Sequence, residues 1–332
     1  MVYIYQKKVG DKSYYYLRIS ERTGGKLVVK DVAYLGTTPD EVKEALERLP
    51  KHRTAIRKSY RTIHHFLESN RFLEKVKGLK LKHDSYLKEK QQEIEAAKLH
   101  FTTDFEKLDP LTKQEAWKNF IVEFSFNTAA IEGNTITLAE ARNLLEEGLT
   151  PKNKSLREIY DLQNSEKVFI KIRDSNEELS HEFIQQIHSQ LLENIDSRTG
   201  YRLHDVRVTK TNFKSTPAPY VRTDMELLLK WYFENKNKLH PFVLATLFHH
   251  KFEKIHPFMD GNGRTGRILF NYILLKNDYP PGIIRRKNRS SYIDALQEAD
   301  KGELFKSTPP HYEELLQFIA NELIDSYWSI FL

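Results

Sequence analysis

Hydrophobic residues alternate with polar ones at the start of the chain and recur at helical spacing through most of the remainder. The alternating segments are rich in Tyr, Val and Ile and are separated by Gly-containing turns, which predicts a small three-stranded meander over residues 1–37. Thr38 and Pro39 then combine a helix cap with a first-turn proline. Apolar residues at helical spacing follow, and the region 38–108 is predicted to be helical. We expect helices at 38–49 and 52–78 and then a charged, exposed helical connector.

From residue 109 onward the pattern is that of a helical domain, 109–332. Asp109 and Pro110 again pair a cap with a first-turn proline, and their helix is expected to end near Asn134. Prolines interrupt a segment of extended character and predict an inserted β-hairpin at 206–221. The predicted fold class is therefore mostly α, a helical bundle with an inserted hairpin, preceded by the small sheet and the connector. Further helices are predicted at 138–147, 155–173, 180–192, 225–235, 241–255, 290–298 and 312–330.

Composition narrows the class of protein without changing this fold. The 332 residues are 39% hydrophobic and 30% charged, which is ordinary for a protein that buries a core. The absence of cysteine excludes a disulfide framework, a thiol nucleophile and a Cys-ligated zinc site. No apolar run reaches about 18 residues, and the N-terminus lacks the order of a signal peptide. We therefore expect a cytoplasmic protein with no membrane segment.

The net charge of +6 allows an acidic partner but does not require one, because acidic residues are mixed in throughout the chain. The tyrosines and basic residues of the first strands are compatible with stacking on a nucleic acid. Aromatic residues in strands more often pack against a helix or a second subunit, and we favour that interpretation. Nucleic-acid binding is therefore retained as an alternative for residues 1–100 alone.

One stretch, 256–267, concentrates reactive side chains and reads His-Pro-Phe-Met-Asp-Gly-Asn-Gly-Arg-Thr-Gly-Arg. A glycine-rich turn that opens into a helix presents backbone N–H groups and the positive end of the helix dipole to an anion. Arg264 and Arg267 add fixed charge with a geometry suited to phosphate oxygens. Asp260 is a hard oxygen ligand suited to Mg²⁺, and His256 can accept a proton near neutral pH. The stretch predicts chemistry on a polyphosphate.

The same twelve residues match the signature of the Fic family, His-Pro-Phe-x-(Asp or Glu)-Gly-Asn-Gly-Arg-x-x-Arg, at every defined position. Upstream, 128–133 resembles the inhibitory motif of that family, (Ser or Thr)-x-x-x-Glu-(Gly or Asn). It lies at the end of the predicted helix 110–134, as in members whose inhibitory helix precedes the Fic core. The resemblance covers about residues 109–325 and does not extend to residues 1–100.

The resemblance implies a protein adenylyltransferase, which moves AMP from ATP to a Ser, Thr or Tyr hydroxyl of a target protein and releases pyrophosphate. His256 would be the base that activates the hydroxyl, a weak nucleophile. Asp260 would hold Mg²⁺ or Mn²⁺ against the α- and β-phosphates. The residues implied to bind the nucleotide's phosphates are Gly261, Asn262, Gly263, Arg264 and Arg267.

Two further parts of the site are implied by position. Tyr292 and Asp300 lie where the family forms its adenine pocket. A close branch of the family often has Asn at the latter position, and Asp can accept from an amino group but cannot donate to one. The predicted hairpin at 206–221 resembles the flap along which the family lays its target segment as an added strand.

Glu132 is the predicted regulatory residue. Paired with Arg267, its carboxylate would occupy the partner of the γ-phosphate and misplace the triphosphate. The same glutamate would position a water for removal of AMP, as in some members. Gly133 completes the motif, and the Thr128 hydroxyl is expected to stabilise the helix geometry rather than to act in catalysis.

Two alternatives remain open at this point. Related proteins with this fold transfer phosphate, UMP or phosphocholine, although the intact Asp260 and the glycines that follow it favour AMP. A nucleic-acid-binding regulator would leave the 256–267 stretch unused. The sequence names neither the target protein nor the modified hydroxyl, and it leaves self-modification and a homodimer open.

Overall fold

The structure, a computed structural model, describes residues 2–10, 12–206, 214–306 and 309–332. The predicted three-stranded sheet is confirmed as an antiparallel meander in the order β1-β2-β3. Its register pairs Val2 with Ile19, and the pairing of β2 with β3 continues beyond that point to Thr23 and Lys26. The β2–β3 ribbon therefore extends beyond the part of β2 that pairs with β1. The strands are β1 (Val2–Val9), β2 (Lys12–Thr23) and β3 (Lys26–Gly36).

The rest of the described chain is predominantly helical, as the hydrophobic spacing predicts. Short 3₁₀ turns connect several of the helices at Pro50–His52, Phe105–Lys107, Ala218–Tyr220 and Arg286–Asn288. The α-helices, in chain order, are α1 (Pro39–Glu47), α2 (Arg53–Lys58), α3 (Tyr60–Lys77), α4 (Lys90–Thr103), α5 (Pro110–Ile131), α6 (Leu138–Glu147), α7 (Leu156–Asp174), α8 (His181–Leu191), α9 (Val221–Asn235), α10 (Pro241–Ile255), α11 (Asn262–Leu275), α12 (Arg289–Ala299) and α13 (Pro309–Ile330).

Side-chain caps explain where several of these helices begin. Thr38 and Asp109 each accept a hydrogen bond from a first-turn backbone N–H and are followed by proline, as their sequences predict. Thr137 and Ser155 form complete capping boxes with glutamates three residues later. Four helix starts are thus fixed by local chemistry before any tertiary packing.

Helices α10 and α11 form the centre of the largest hydrophobic core. Residues 262–274 of α11 are all buried, and α10 is buried along most of its length. The two helices pack against each other, with α7 and α8 against α11 and with α9 and α13 against α10. The 256–267 stretch forms the loop that joins α10 to α11 and the first residues of α11, so the predicted chemistry lies beside the main core.

The sheet has a smaller core of its own. Side chains of β1, β2 and β3 pack with Val42 of α1 and Ile63 of α3. Further along α3, Phe72 and Val76 belong instead to the main core. Helix α3 therefore joins the two cores, with Ile63 and Phe72 on opposite faces of the helix.

The predicted exposed connector over 79–108 differs from the structure. It is helical only in α4 and in a short 3₁₀ turn, and α4 is not exposed, because Ile94, Ala97 and Phe101 pack into the main core. The neighbours of α4 are α3 and α13. The many charged residues of this segment made it look exposed. Its buried face packs against α13, which follows about 200 residues later, so local spacing gives no sign of that contact.

The predicted extended segment at 206–221 is wrong in its second half. Ala218–Tyr220 is a 3₁₀ turn and Val221 begins α9. Pro219 fits there because the first turn of a helix does not need its missing N–H. Residues 207–213, where the hairpin itself was predicted, lie outside the described residues.

Across the described ranges, none of the helices is both long enough and apolar enough to cross a bilayer.

Candidate active site

The loop between α10 and α11 is held in an uncommon conformation. His256 ends α10 with φ 53° and ψ 60°, the left-handed region that costs a residue with a Cβ about 1–2 kcal/mol. Asn262 closes the loop with two hydrogen bonds to the backbone of Phe258, accepting from its N–H at 2.8 Å and donating to its carbonyl at 2.9 Å. The asparagine therefore fixes the loop through its side chain and leaves its own backbone N–H at the start of α11.

The surroundings of the His256 ring show which of its two nitrogens carries the proton. Nδ1 lies 3.3 Å from the carbonyl oxygen of Glu253, which can only accept, so Nδ1 carries the proton in the neutral ring. Nε2 is then the basic nitrogen. Burial lowers the pKa of His256, and the hydrogen bond to Glu253 and the charge of Glu132 oppose that shift only in part. The ring is held neutral and ready to accept a proton.

Two glycines allow close approach at the start of α11. Gly261 has φ 75°, and a Cβ there would lie 2.8 Å from Leu192. At Gly263 a Cβ would collide with the carboxylate of Glu132 and lie 3.0 Å from Nη1 of Arg267. The Glu132 carboxylate is thus seated over the N-terminal turn of α11, at the position where the helix dipole and free N–H groups favour an anion.

Arg267 is buried and holds the end of α5. Its Nε donates to the Thr128 hydroxyl at 2.8 Å, and Nη2 donates to the Thr128 carbonyl at 3.0 Å and to Glu132 at 2.7 Å. Burial would raise the pKa of Glu132, but the charge and hydrogen bond of Arg267 outweigh it and lower that pKa. We had expected the Thr128 hydroxyl to stabilise its own helix. In the structure it accepts a hydrogen bond from Arg267 instead. Gly133 follows with φ 106° and ends the helix.

Arg264 lies deeper in the loop and is nearly fully buried. It pairs with Asp161 of α7 and lies 3.7 Å from Asp260. Asp260 also pairs with Arg157, whose side chain is about half exposed. Burial would raise the pKa of Asp260, and the two arginines outweigh burial and lower it. Asp260 is therefore an ionised carboxylate at the edge of the site.

A divalent cation fits this chemistry in a limited way. Among the described residues no group of three or more His, Asp or Glu side chains could hold a metal. Asp260 offers one carboxylate, which suits Mg²⁺ because that ion is usually held by one or two carboxylates together with phosphate oxygens of a substrate.

Two further polar side chains of the site, Tyr292 and Asp300, are hydrogen-bonded within the protein. The Tyr292 hydroxyl is 2.6 Å from Nε2 of His249, and Asp300 is 3.0 Å from both His250 and Lys254. Burial would raise the pKa of Asp300, and the hydrogen bonds from those two residues outweigh it and lower the pKa. Asp300 is therefore an ionised acceptor that is held in place.

A single cleft brings these groups together. Its volume is about 170 Å³, smaller than the roughly 300–1,000 Å³ of most ligand sites. Glu132 stands in it beside Gly263, which accounts for part of the missing space. The residues that line the cleft include Glu132, His256, Gly263, Arg267, Tyr292 and Asp300, together with His250, Glu253, Lys254 and Arg289.

Several residues of the site were not identified from the sequence, among them four that contact or lie beside the charged groups or the loop. Arg157 and Asp161 lie one turn apart on α7 and contact Asp260 and Arg264. Glu253 is buried beside Arg267, and Arg202 contacts the backbone of the catalytic loop. Only Glu253 carried a signal, as the one acidic residue of α10 and three positions before His256. The other three depend on contacts between distant segments.

Comparison with known sequences finds matches to the part of the chain that carries the 256–267 stretch. A family model described as Fic/DOC matches residues 178–274. The adenylyltransferase fic-1 of Caenorhabditis elegans is 30% identical over 187 residues, or 54% of this chain. The adenylyltransferase Fic of Drosophila ananassae is 34% identical over 202 residues, or 58% of this chain. The match spans only 37% and 39% of the length of these relatives.

Solved structures agree with the sequence comparison. A Fic-domain signalling protein from Bacteroides thetaiotaomicron is 26% identical with a TM-score of 0.64, and the alignment covers 70% of this chain and 94% of that one. Fic-1 of C. elegans shares the fold at 22% identity with a TM-score of 0.58, over 87% of this chain and 80% of that one. Residues 178–274 thus match the Fic/DOC family model, and the chain is similar to Fic-domain proteins in sequence and in fold.

Proposed function

We propose that the chain is a protein adenylyltransferase that transfers AMP from ATP to a Ser, Thr or Tyr hydroxyl of a target protein and releases pyrophosphate. The observation that carries the proposal is the single cleft that His256 lines together with an anion site and with buried polar groups. Gly263 and Arg267 form the anion site, and Tyr292 and Asp300 are the polar groups. The names of the curated relatives support the same activity.

The chemical step follows from the assigned ring nitrogen. A target hydroxyl attacks the α-phosphorus of ATP while its proton passes to Nε2 of His256. The bond between the α-phosphorus and the bridging oxygen breaks, and pyrophosphate leaves with that oxygen. The hydrogen bond from Nδ1 to the Glu253 carbonyl keeps the ring in the orientation that the transfer needs.

The start of α11 would hold the phosphates. The backbone N–H groups of Asn262 and Gly263 and the charge of Arg264 face the α- and β-groups, and Arg267 takes the γ-phosphate. A Mg²⁺ or Mn²⁺ ion bound by Asp260 and the phosphates would neutralise charge that develops on the leaving group. These positions offer donors wherever the triphosphate carries negative charge.

The part of the cleft formed by Tyr292 and Asp300 suits adenine. Asp300 is ionised and already receives hydrogen bonds from His250 and Lys254, so it can accept one from the exocyclic amino group of the base. Tyr292 is buried beside it and offers an aromatic face. A guanine would present a carbonyl oxygen in place of the amino group, which a carboxylate repels.

Glu132 would keep this site idle in the resting protein. Its carboxylate is seated at the anion position over Gly263 and occupies Arg267, the proposed partner of the γ-phosphate. ATP would then bind with its triphosphate displaced from the line of attack. Removal of AMP by a water held on Glu132 is the reverse activity that the same geometry allows.

The target would lie along residues 206–221, next to His256. The cytoplasmic location and a homodimer remain predictions of the sequence.

The test is transfer of label from ATP that carries radioactive phosphorus at either the α- or the γ-position. The Glu132→Gly protein is incubated with each nucleotide, Mg²⁺ and a host lysate, and the chain itself serves as a second acceptor. We expect protein-bound label from the α-position alone, with a mass increase of one AMP. Label from the γ-position alone would contradict the proposal in favour of phosphate transfer, and label from UTP in favour of UMP transfer.

A further inference from the structure

Arg202 is a buried arginine that lies outside the family signature and contacts the catalytic loop from a distant segment. Its side chain is fully buried, and its only nearby carboxylate among the described residues, Asp205, lies 3.6 Å away and is 74% exposed. The guanidinium is therefore satisfied mainly by backbone carbonyls. Burying a charged group in this way is costly unless all its donors are used, which points to a specific task.

The first task concerns the end of α10. The last carbonyls of a helix have no intrahelical partner. Here the carbonyl oxygens of Ile255 and His256 both accept hydrogen bonds from Arg202, from Nη2 at 3.4 Å and from Nε at 2.8 Å. The backbone N–H of Arg202 also donates to Pro257 at 2.9 Å. Three successive carbonyls around the left-handed His256 are thus held by one residue.

The second task concerns the chain on either side of 207–213. Nη1 of Arg202 donates to the His204 carbonyl at 3.1 Å, and Nη2 donates to the Thr216 carbonyl and to the Ser215 hydroxyl at 3.3 Å. The Thr216 N–H in turn donates to Lys254 of α10 at 3.3 Å. Both ends of this segment are therefore tied to the last turn of α10 through the same guanidinium.

We propose that Arg202 is a positioning residue that holds His256 in its left-handed conformation and couples the backbone at His204 and Thr216 to it. The inference rests on the proposed function for its kinetic consequence alone. Arg202 touches no reacting atom and acts through the backbone of His256 and of Thr216. Because its cation also lies near the ring, it contributes to lowering the pKa of His256.

Two variants separate the charge of Arg202 from its ability to donate hydrogen bonds in several directions. Arg202→Lys keeps the charge but loses the geometry that reaches several carbonyls, and Arg202→Gln loses both. In the Glu132→Gly protein we expect each to lower kcat for AMP transfer by about 10–100-fold, since a displacement near 1 Å costs about that much. KM for ATP should change little, because Arg202 lies outside the nucleotide cleft.

The protonation of His256 gives a readout that needs no turnover. The groups that face its ring are Glu132 of α5, Asp260 of the loop, the Glu253 carbonyl and Arg202. Removing one cation from this set raises the pKa, so in Arg202→Gln the NMR titration of His256 should move to higher pH. In Arg202→Lys it should stay near the parent value. The His256→Ala protein identifies the signal among the other histidines.

Arg285→Gln is the matched control. Arg285 is also largely buried, but it pairs with Glu322 and lies outside the cleft. It should lower the Tm and leave kcat per folded molecule and the His256 titration unchanged. If Arg202→Gln does not fold, Arg202→Lys decides through kcat per folded molecule.

The positioning role would be overturned if the Arg202 variants kept kcat within threefold of the parent and left the NMR chemical shift of the His256 Cα unchanged. If the parent transfers no AMP, the proposed function fails, while the titration of Arg202→Gln and the His256 Cα shift still test Arg202.

Discussion

Two helix ends each bring a carboxylate to Arg267, and the two carboxylates behave in opposite ways. Glu132, at the end of α5, accepts from Arg267 at 2.7 Å and keeps 44% of its side chain exposed. Its pKa is lowered, because the arginine outweighs burial. Glu253, in the last turn of α10, has an oxygen with no hydrogen-bond partner among the described residues, and burial raises its pKa to about 8.

The difference shows that direct contact, and not proximity to a cation, decides which carboxylate is ionised. One guanidinium neutralises the one carboxylate that its donors reach, and the negative charge of Glu132 then adds to burial in keeping Glu253 protonated. The proposed inhibition is therefore a one-to-one pairing that a γ-phosphate can replace. The predictions below test this assignment and the chemistry around it.

The largest effect is expected at His256, on the α10 side of the comparison. His256→Ala should lower AMP transfer by about 10²–10⁴-fold, because the hydroxyl loses its base. ATP affinity, measured by calorimetry in the Glu132→Gly background, should stay within about threefold, since the phosphates bind to α11. His64→Ala, on the distant α3, is the control. Transfer that survives in His256→Ala would assign the base to another residue.

Arg267→Lys tests whether the shared cation acts as a fork or only as a charge. In the Glu132→Gly background, where no carboxylate competes, we expect kcat/KM for ATP to fall by about tenfold, because lysine cannot make a bidentate contact to a phosphate. ADP affinity should change less, since it lacks the γ-phosphate. An equal loss for ATP and ADP would place Arg267 on another phosphate.

Glu132→Gly tests the contacting carboxylate alone. Removing it frees Arg267 and opens the space over Gly263, so AMP transfer should rise several-fold. Glu132→Gln keeps the volume without the charge and should give a smaller rise. Inhibition by Glu132 would be wrong if Glu132→Gly changed neither the rate of transfer nor the affinity for ATP.

The sequence predicted much of the fold because its signals are local. Caps at Thr38 and Asp109 and apolar spacing within each helix depend on residues a few positions apart, and the prediction of a mostly helical fold with a three-stranded sheet is confirmed. The buried face of α4 was missed because α13, against which it packs, is distant in sequence. Prolines at 217 and 219 indicated extended chain where a helix begins.

The residues of the candidate site also fall into those that local sequence predicted and those that it did not. The residues of 256–267 and Glu132 were identified as motifs, and the structure brings Glu132, His256, Gly263 and Arg267 into one cleft. Arg157, Asp161 and Arg202 were missed, because each acts on that stretch from another segment and none belongs to a motif. Glu253 was missed because its raised pKa arises from burial, which the three-dimensional packing of α10 decides.

Glu253→Gln is expected to have the smallest effect on activity and isolates the second carboxylate. At neutral pH Glu253 is protonated, so the substitution should leave AMP transfer nearly unchanged. Stability should respond to pH. The pKa of Glu253 is about 8 in the folded state and near 4.5 when unfolded, so the wild-type protein loses stability as pH rises between those values. The variant cannot titrate there, and its advantage should grow by at most about 1.4 kcal/mol per pH unit.

Glu95→Gln is the control with the opposite sign. Burial would raise the pKa of Glu95, but hydrogen bonds from His240 and Tyr279 outweigh it and lower the pKa. Its ionised form therefore stabilises the fold above the unfolded pKa, and that contribution is lost as pH falls through the lower folded value. Glu95→Gln should be destabilising at pH 7 and less so in acid, whereas Glu253→Gln should become more stabilising toward pH 8. Urea unfolding from acid, below the ordinary glutamate pKa of 4.5, up to pH 8 measures both slopes. Parallel slopes would show that Glu253 is ionised like Glu132, and that Arg267 is shared between two carboxylates.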